Sequence, residues 1–234
     1  MTDLQAVKQV AKSLFNVVPV EPHPKFGAIV LSHPFTESGI VIFPSKKNSE
    51  PKMTDITENK EDFEEWKQWC FSRIDNAPSI HKVFSLVCKA YRLTFLKFAK
   101  PYIDKEEFSE LFAEAWVNSE NPNMDVNVSL KEATKWFKEA DKKHLMDKDE
   151  YKVWEELPEK FVVYRGVGEN RTPHGLSWTT HRETAEWFAN RWNKKGYVEK
   201  ANIEKKHALA YFNGRGEDEV VVDVFAIKDR IRIN

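Results

Sequence analysis

The amino-acid sequence predicts an α+β fold, and three observations carry that reading. Apolar residues recur at helical spacing through most of the first 155 positions. After Pro158 the texture changes to short β-rich runs separated by turns. A single amphipathic helix interrupts those runs. The predicted organisation is a mainly helical region over 1–157, with a β-hairpin near 26–44, and a compact strand-rich core over 158–234.

Leu4, Val7, Val10, Ala11 and Leu14 form the first helical stripe, with Thr2 or Asp3 as its cap. FGAIVLSHPFTESGIVIFP then reads as two β runs joined by a polar turn containing Gly39. The polar stretch 45–60 has no periodicity and reads as a loop. Phe63, Trp66, Trp69, Cys70 and Ile74 form a second stripe. Val83, Leu86, Val87, Ala90, Leu93 and Phe98 form a third, with Pro78 near its start. Glu107 to Trp116 reads as another helix, and NSENPNMDVNV as a break. Ser129 is placed to cap LKEATKWFKEAD, with Glu132 at the capping-box position. A short helix near 148–156 leads to Pro158. The Trp and Phe stripes read as core.

Beyond Pro158, FVVYRGV, HGLSWTT, GYVEKANI, HALAYF and EVVVDVFAI read as strands. ETAEWFANRW reads as a helix with Ala185, Phe188, Ala189 and Trp192 on one face.

Composition limits the function classes. The 234 residues carry 36 Lys+Arg against 37 Asp+Glu, a balance that argues against a chain built to neutralise phosphate backbones. A 13% aromatic content, with eight Trp, argues for packed structure. Cys70 and Cys88 lie in apolar stretches and read as buried, reduced thiols. The first residues have no basic region followed by an apolar run, so no signal peptide is expected. No run approaches the roughly 20 apolar residues that span a bilayer. A cytoplasmic protein without membrane association is expected. Its oligomeric state is open.

Three constellations stand out. In Tyr164-Arg165-Gly166, an arginine ends an apolar run, and Gly166 lets a ligand approach the backbone closely. Arg suits bidentate phosphate binding. On a strand, Ser177 and Thr179 of GLSWTT would share a face and present hydroxyls. If 217–225 is a strand, Glu217 and Glu219 share a face, roughly 6.5–7 Å apart along the chain. Asp218 then points the other way as a bystander. Paired carboxylates suit acid/base work or an oxocarbenium-like centre. Each constellation also has a plain structural reading: an edge arginine, a Thr-rich strand, and a solvated strand end behind the turn NGRG.

In the order VYRG, SWTT with AEWFA, then EDEVVV, the sequence resembles the Arg–Ser–Glu class of mono-ADP-ribosyltransferases of bacterial toxins and phages. The resemblance covers about 160–230. It implies that the core over 158–234 is made of two strand layers with a cleft between them, with NAD as co-substrate and no metal. Arg165 would contact the phosphates and the nicotinamide-side ribose, and the Gly166 backbone would hold the nicotinamide amide. Ser177 would orient the catalytic glutamate, supported by Thr179. Glu219 would bond the ribose 2′-OH and stabilise the oxocarbenium. Glu217 would orient or deprotonate the nucleophile, and a glutamate there implies arginine as acceptor on a protein, for instance a host protein. Gly214-Arg215-Gly216 would form a substrate-facing turn, and Phe188 would pack beneath the site. Two features depart from the toxin enzymes: a short interval between Arg165 and Ser177, and Trp178 in place of a small residue. Open alternatives are NAD hydrolysis, modification of nucleic acid on the same fold, and a non-catalytic or virion-associated binding module.

Other patterns are incomplete. RGVGEN lacks the third glycine of a dinucleotide fingerprint, and DKDEYKVWEE lacks the glycine of a calcium loop. His174, His181 and His207 have no metal-ligand spacing.

Overall fold

The computed structural model describes residues 1–169, 171–191 and 196–233. The α+β class holds. The chain divides into two compact units, Met1–Asp104 and Lys105–Asn234. The expected division near 157 is therefore displaced, and the helices between 105 and 156 belong with the C-terminal sheet.

In the first unit, α1 (Leu4–Val17) is capped by Asp3, whose carboxylate accepts from the Ala6 amide. Strand β1 (Ile40–Pro44) pairs antiparallel with β2 (Pro51–Asp55). The hairpin thus lies later than expected. The run near 26–31 is not a strand, and Pro51–Asp55, five residues of the stretch expected as loop, is one. Helix α2 (Lys60–Asp75) buries Trp66, Cys70 and Ile74 as its spacing predicted. The single helix expected over the third stripe is divided into α3 (Ile80–Ser85) and α4 (Arg92–Ala99). The Cys88 amide is diverted to the carbonyl of Pro34 at 2.8 Å, a tertiary bond that no local breaker announces. Both thiols are free, and burial pushes Cys70 up to about 12 and Cys88 up to about 11.

The core of this unit gathers Phe15, Val41, Phe43, Trp66 and Cys70 around a buried His33. The Phe35 amide can only donate, so His33 Nδ1 accepts from it at 3.2 Å. His33 Nε2–H then donates to the Phe15 carbonyl at 3.1 Å. This fixes a neutral tautomer, and burial lowers the group to about 4.

In the second unit, α5 (Lys105–Asn118) and α6 (Leu130–Glu139) bury a cluster of rings. Phe112 packs against Trp116, Trp136 and Phe137. Ser129 caps α6 by accepting from the Glu132 amide. After α7 (Lys142–Leu145), helix α8 (Lys148–Glu156) opens with a capping box made by Asp147 and Glu150. Strand β3 (Lys160–Val167), strand β4 (Ser177–Thr179) and helix α9 (Arg182–Asn190) follow. The remaining strands are β5 (Tyr197–Glu204), β6 (Ala208–Phe212), β7 (Glu219–Val222) and β8 (Arg230–Ile233). Trp192, assigned to the helix face from sequence, lies outside the described residues.

These strands form one antiparallel sheet in the order β6-β7-β4-β3-β5-β8, not two separate layers. Its weakest seam lies between β4 and β3, which share only the pair Tyr164↔Thr179. On the other side, β3 pairs with β5 along its whole length, from Lys160↔Glu204 to Val167↔Tyr197. Strand β7 is shorter than expected, because the chain turns after Val222. The Asp223 amide donates to His207 O, and the buried Asp223 carboxylate pairs with Lys138 at 2.6 Å.

The helices before β3 are tied to the outer strand β6. Trp154 Nε1 donates to Ala208 O at 2.9 Å, and Lys142 Nζ donates to Leu209 O at 2.6 Å. Burial lowers the Lys142 ammonium to about 8. Helix α9 packs on β3 and β5 through Ala185, Ala189, Val198 and Tyr164.

The His33 environment yields a stability prediction. Between pH 6.5 and 4 the unfolded chain binds a proton that folded His33 refuses, so stability falls as the pH drops through that window. The loss amounts to up to about 3 kcal/mol. Urea unfolding at pH 7 and pH 4.5 measures it. His33→Gln is expected to remove most of this dependence while lowering stability at neutral pH.

Candidate active site

Arg165 does not sit at a strand edge with its head group in solvent. It is 8% exposed. Its Nη1 donates to Ser177 O at 2.6 Å and its Nη2 to Thr172 O at 2.9 Å. Both bonds fold the guanidinium over the chain that leads into β4. A Cβ at Gly175 would overlap that guanidinium, so position 175 is a glycine because of Arg165. The Nε of Arg165 is buried without a hydrogen-bond partner among the described residues. Burial lowers Arg165 to about 10, against the opposing charges of Glu199 and Glu219. It remains a cation at neutral pH. Glu199, directly opposite Arg165 on β5, also meets Arg230 at 3.8 Å.

Register brings the other groups to the same place. Strand β4 lies between β3 and β7, so Thr179 faces Tyr164 on one side and Glu219 on the other. Ser177 pairs with Val221, two positions along from Glu219 and on the same face. Glu219 is the first residue of β7 and is partly buried. Its Oε1 accepts from the indole Nε1–H of Trp116 at 3.0 Å, and its carboxylate is also hydrogen-bonded by Ser177. Burial raises the Glu219 carboxyl above its ordinary range. Glu217 pushes the same way, while the Ser177 and Trp116 donors and Arg165 oppose the rise.

A further contact fixes the serine. The Leu176 amide donates to Asn123 Oδ1 at 2.6 Å, and Asn123 Nδ2 donates to Ser177 Oγ at 3.1 Å. Asn123 lies in a short 3-10 turn, Pro122–Met124, after α5.

Two expectations about the acidic run are corrected. Glu217 is not in the strand, and Asp218 has φ +46, so the two-residue alternation does not extend back to Glu217. Glu217 instead belongs to the turn before β7, still close enough to act on Glu219. Asp218 is not a bystander. Tyr211 Oη donates to its Oδ1, its Oδ2 meets His181 Nε2 at 3.2 Å, and its amide donates to Asn213 Oδ1 at 3.3 Å. These contacts hold an unfavourable backbone conformation in the middle of the acidic run. Residues 213–216 are exposed, with Gly216 at φ +67.

Gly166 is also corrected. A Cβ there would overlap Ala185 O and come within 2.6 Å of Ala189 N and 2.8 Å of Phe188 Cβ. Its missing side chain admits helix α9, not a ligand. Thr179 is buried, and its Oγ1 accepts from the His181 amide at 3.1 Å, which starts α9.

Sequence reasoning missed Trp116 and Asn123. The first was read as core in an aromatic stripe, the second as part of a break. Neither position carries a local signal of the role that tertiary packing gives it.

No group of three or more His, Cys, Asp or Glu side chains is gathered to hold a metal ion among the described residues. Among them also, no helix is long and apolar enough to cross a membrane. Compared with protein-family models, curated proteins and solved structures, the chain matches none.

Gly166→Ala is expected to destabilise the second unit by about 3 kcal/mol or more, because the listing of α9 away from β3 removes buried contacts. Chemical denaturation monitored by circular dichroism measures the shift. An unchanged midpoint would contradict this packing.

Proposed function

We propose that the protein is an NAD-dependent mono-ADP-ribosyltransferase acting on arginine side chains of a protein. The observation that carries the reading is the gathering of the Ser177 hydroxyl and the Arg165 charge, from neighbouring strands, about the carboxylate of Glu219. That carboxylate is partly buried, hydrogen-bonded by two donors and flanked by a buried cation. The Nε of Arg165, without a hydrogen-bond partner among the described residues, adds a buried donor suited to a polar or anionic ligand.

The chemistry asks little of the protein. The nicotinamide–ribose bond already carries a cationic leaving group, so its electron pair departs with neutral nicotinamide as the C1′–N bond breaks. Positive charge then develops on the ribose. A fixed carboxylate is worth most beside that charge, and Glu219 is held for this role, bonding the ribose 2′-OH. Glu217, in the turn before β7, holds the acceptor guanidinium and takes the proton it loses when its nitrogen bonds to C1′. Arg165 supplies the cation for the diphosphate side of NAD. The exposed turn 213–216 faces the acceptor.

Incubation of the protein with NAD labelled in the adenylate and with a cell lysate is expected to label protein. Glu219→Gln is expected to lower labelling by about 10²–10³-fold. Glu217→Gln is expected to lose transfer while still releasing nicotinamide slowly into water. Equal labelling by Glu219→Gln and wild type would overturn the mechanism.

A further inference from the structure

The groups that contact Glu219 and Ser177 from outside the strands form a hydrogen-bond chain with only one consistent direction. A backbone amide cannot accept, so Leu176 N–H fixes Oδ1 of Asn123 as the acceptor. The Nδ2 of Asn123 is thereby turned to Ser177 Oγ, which must accept. Ser177 has one hydroxyl proton, and with its oxygen accepting from Asn123 that proton is released toward Glu219. The indole of Trp116 can only donate, and it donates to Glu219 Oε1. The carboxylate therefore receives two donors of fixed polarity, one routed through Asn123 and one direct.

We propose that Trp116 and Asn123 are positioning residues for Glu219, acting from the helical segment before the sheet to aim the Ser177 hydroxyl and hold the carboxylate as an acceptor. Calling Glu219 the group they serve in catalysis rests on the transferase reading. Their effect on its ionisation does not.

Their surroundings suit this role. Trp116 is 1% exposed and fixed by the rings of Phe112 and Phe137, so its N–H is aimed before any substrate arrives. Asn123 bonds two consecutive residues of the chain entering β4, locking Ser177 to Leu176. The charged groups acting on Glu219 are Glu217, which disfavours its ionised form, and Arg165, which favours it. Burial alone would drive the carboxyl toward its neutral form, and the two donors counter that.

The test is direct titration of Glu219 by carbon-13 NMR in protein labelled at the glutamate carboxyl, with the resonance assigned by its loss in Glu219→Gln. Trp116→Phe keeps a ring and removes the donor. Asn123→Asp, at a half-buried site less able to harm the fold, turns the chain around, because an aspartate oxygen accepts the Ser177 proton. Each variant is expected to raise the Glu219 midpoint by about 0.5–1 pH unit, a three- to tenfold change in its acid constant. In the same variants the acid limb of nicotinamide release is expected to move upward by the same amount. Midpoints within about 0.2 unit of wild type in both folded variants would overturn the proposal. If wild type releases no nicotinamide, the transferase reading fails, and the titration still decides whether Trp116 and Asn123 control Glu219.

Discussion

A carboxylate drawn partly out of water at the start of β7 is the constraint on which the candidate site depends. Desolvation disfavours its charge, and a lone glutamate there would take up a proton or turn to solvent. At Glu219 donors meet the carboxylate from two directions, Ser177 on the adjoining strand and Trp116 on α5, and oppose the rise that burial imposes on it. Arg165 supplies the compensating charge, at the cost of burying a guanidinium that two carbonyls must then satisfy. Removing any one of these groups leaves another without its partner, so the site behaves as a unit.

The sheet is organised around the same place. Strands β6, β7 and β4 form one half, and β3, β5 and β8 the other, with a single residue pair joining them. Arg165 reaches across that seam to Ser177 O, so the cation of the site also ties the halves of the sheet together. Pairing is thus thinnest where the functional groups meet, within one sheet and not between the two strand layers expected. Near the other end of the site, Asp218 holds a left-handed backbone by bonding Tyr211 and His181, and this sets where Glu217 leaves the turn.

Much of this architecture was legible in the sequence, because local chemistry decided it. Asp3 and Ser129 cap the helices they precede, and the apolar alternation of FVVYRGV marks β3. The misreadings lie where tertiary contacts overrule local pattern. The Cys88 amide leaves its helix for Pro34 O, and PKMTD pairs with β1 despite its polar composition. The helices at 105–156 side with the C-terminal sheet through Trp154 and Lys142, whose bonds to β6 span more than fifty positions. At the site, the order of Arg165, Ser177 and Glu219 could be read from types and spacing. The left-handed Asp218 could not, since an aspartate tolerates positive φ but does not require it, and the contacts to Tyr211 and His181 that hold it there are tertiary. Trp116 and Asn123 were invisible for the reason that makes them effective: each is distant in sequence and acts through hydrogen bonds that only the fold creates.

The most direct measurement is the indole N–H resonance of Trp116, assigned by its loss in Trp116→Phe, followed by nitrogen-15 NMR as NAD is added. That proton bonds the carboxylate proposed to meet the ribose, so it reports on Glu219 itself. A saturable shift of this resonance, abolished in Glu219→Gln, is the result predicted. An indole resonance unmoved by NAD at millimolar concentration would contradict the account.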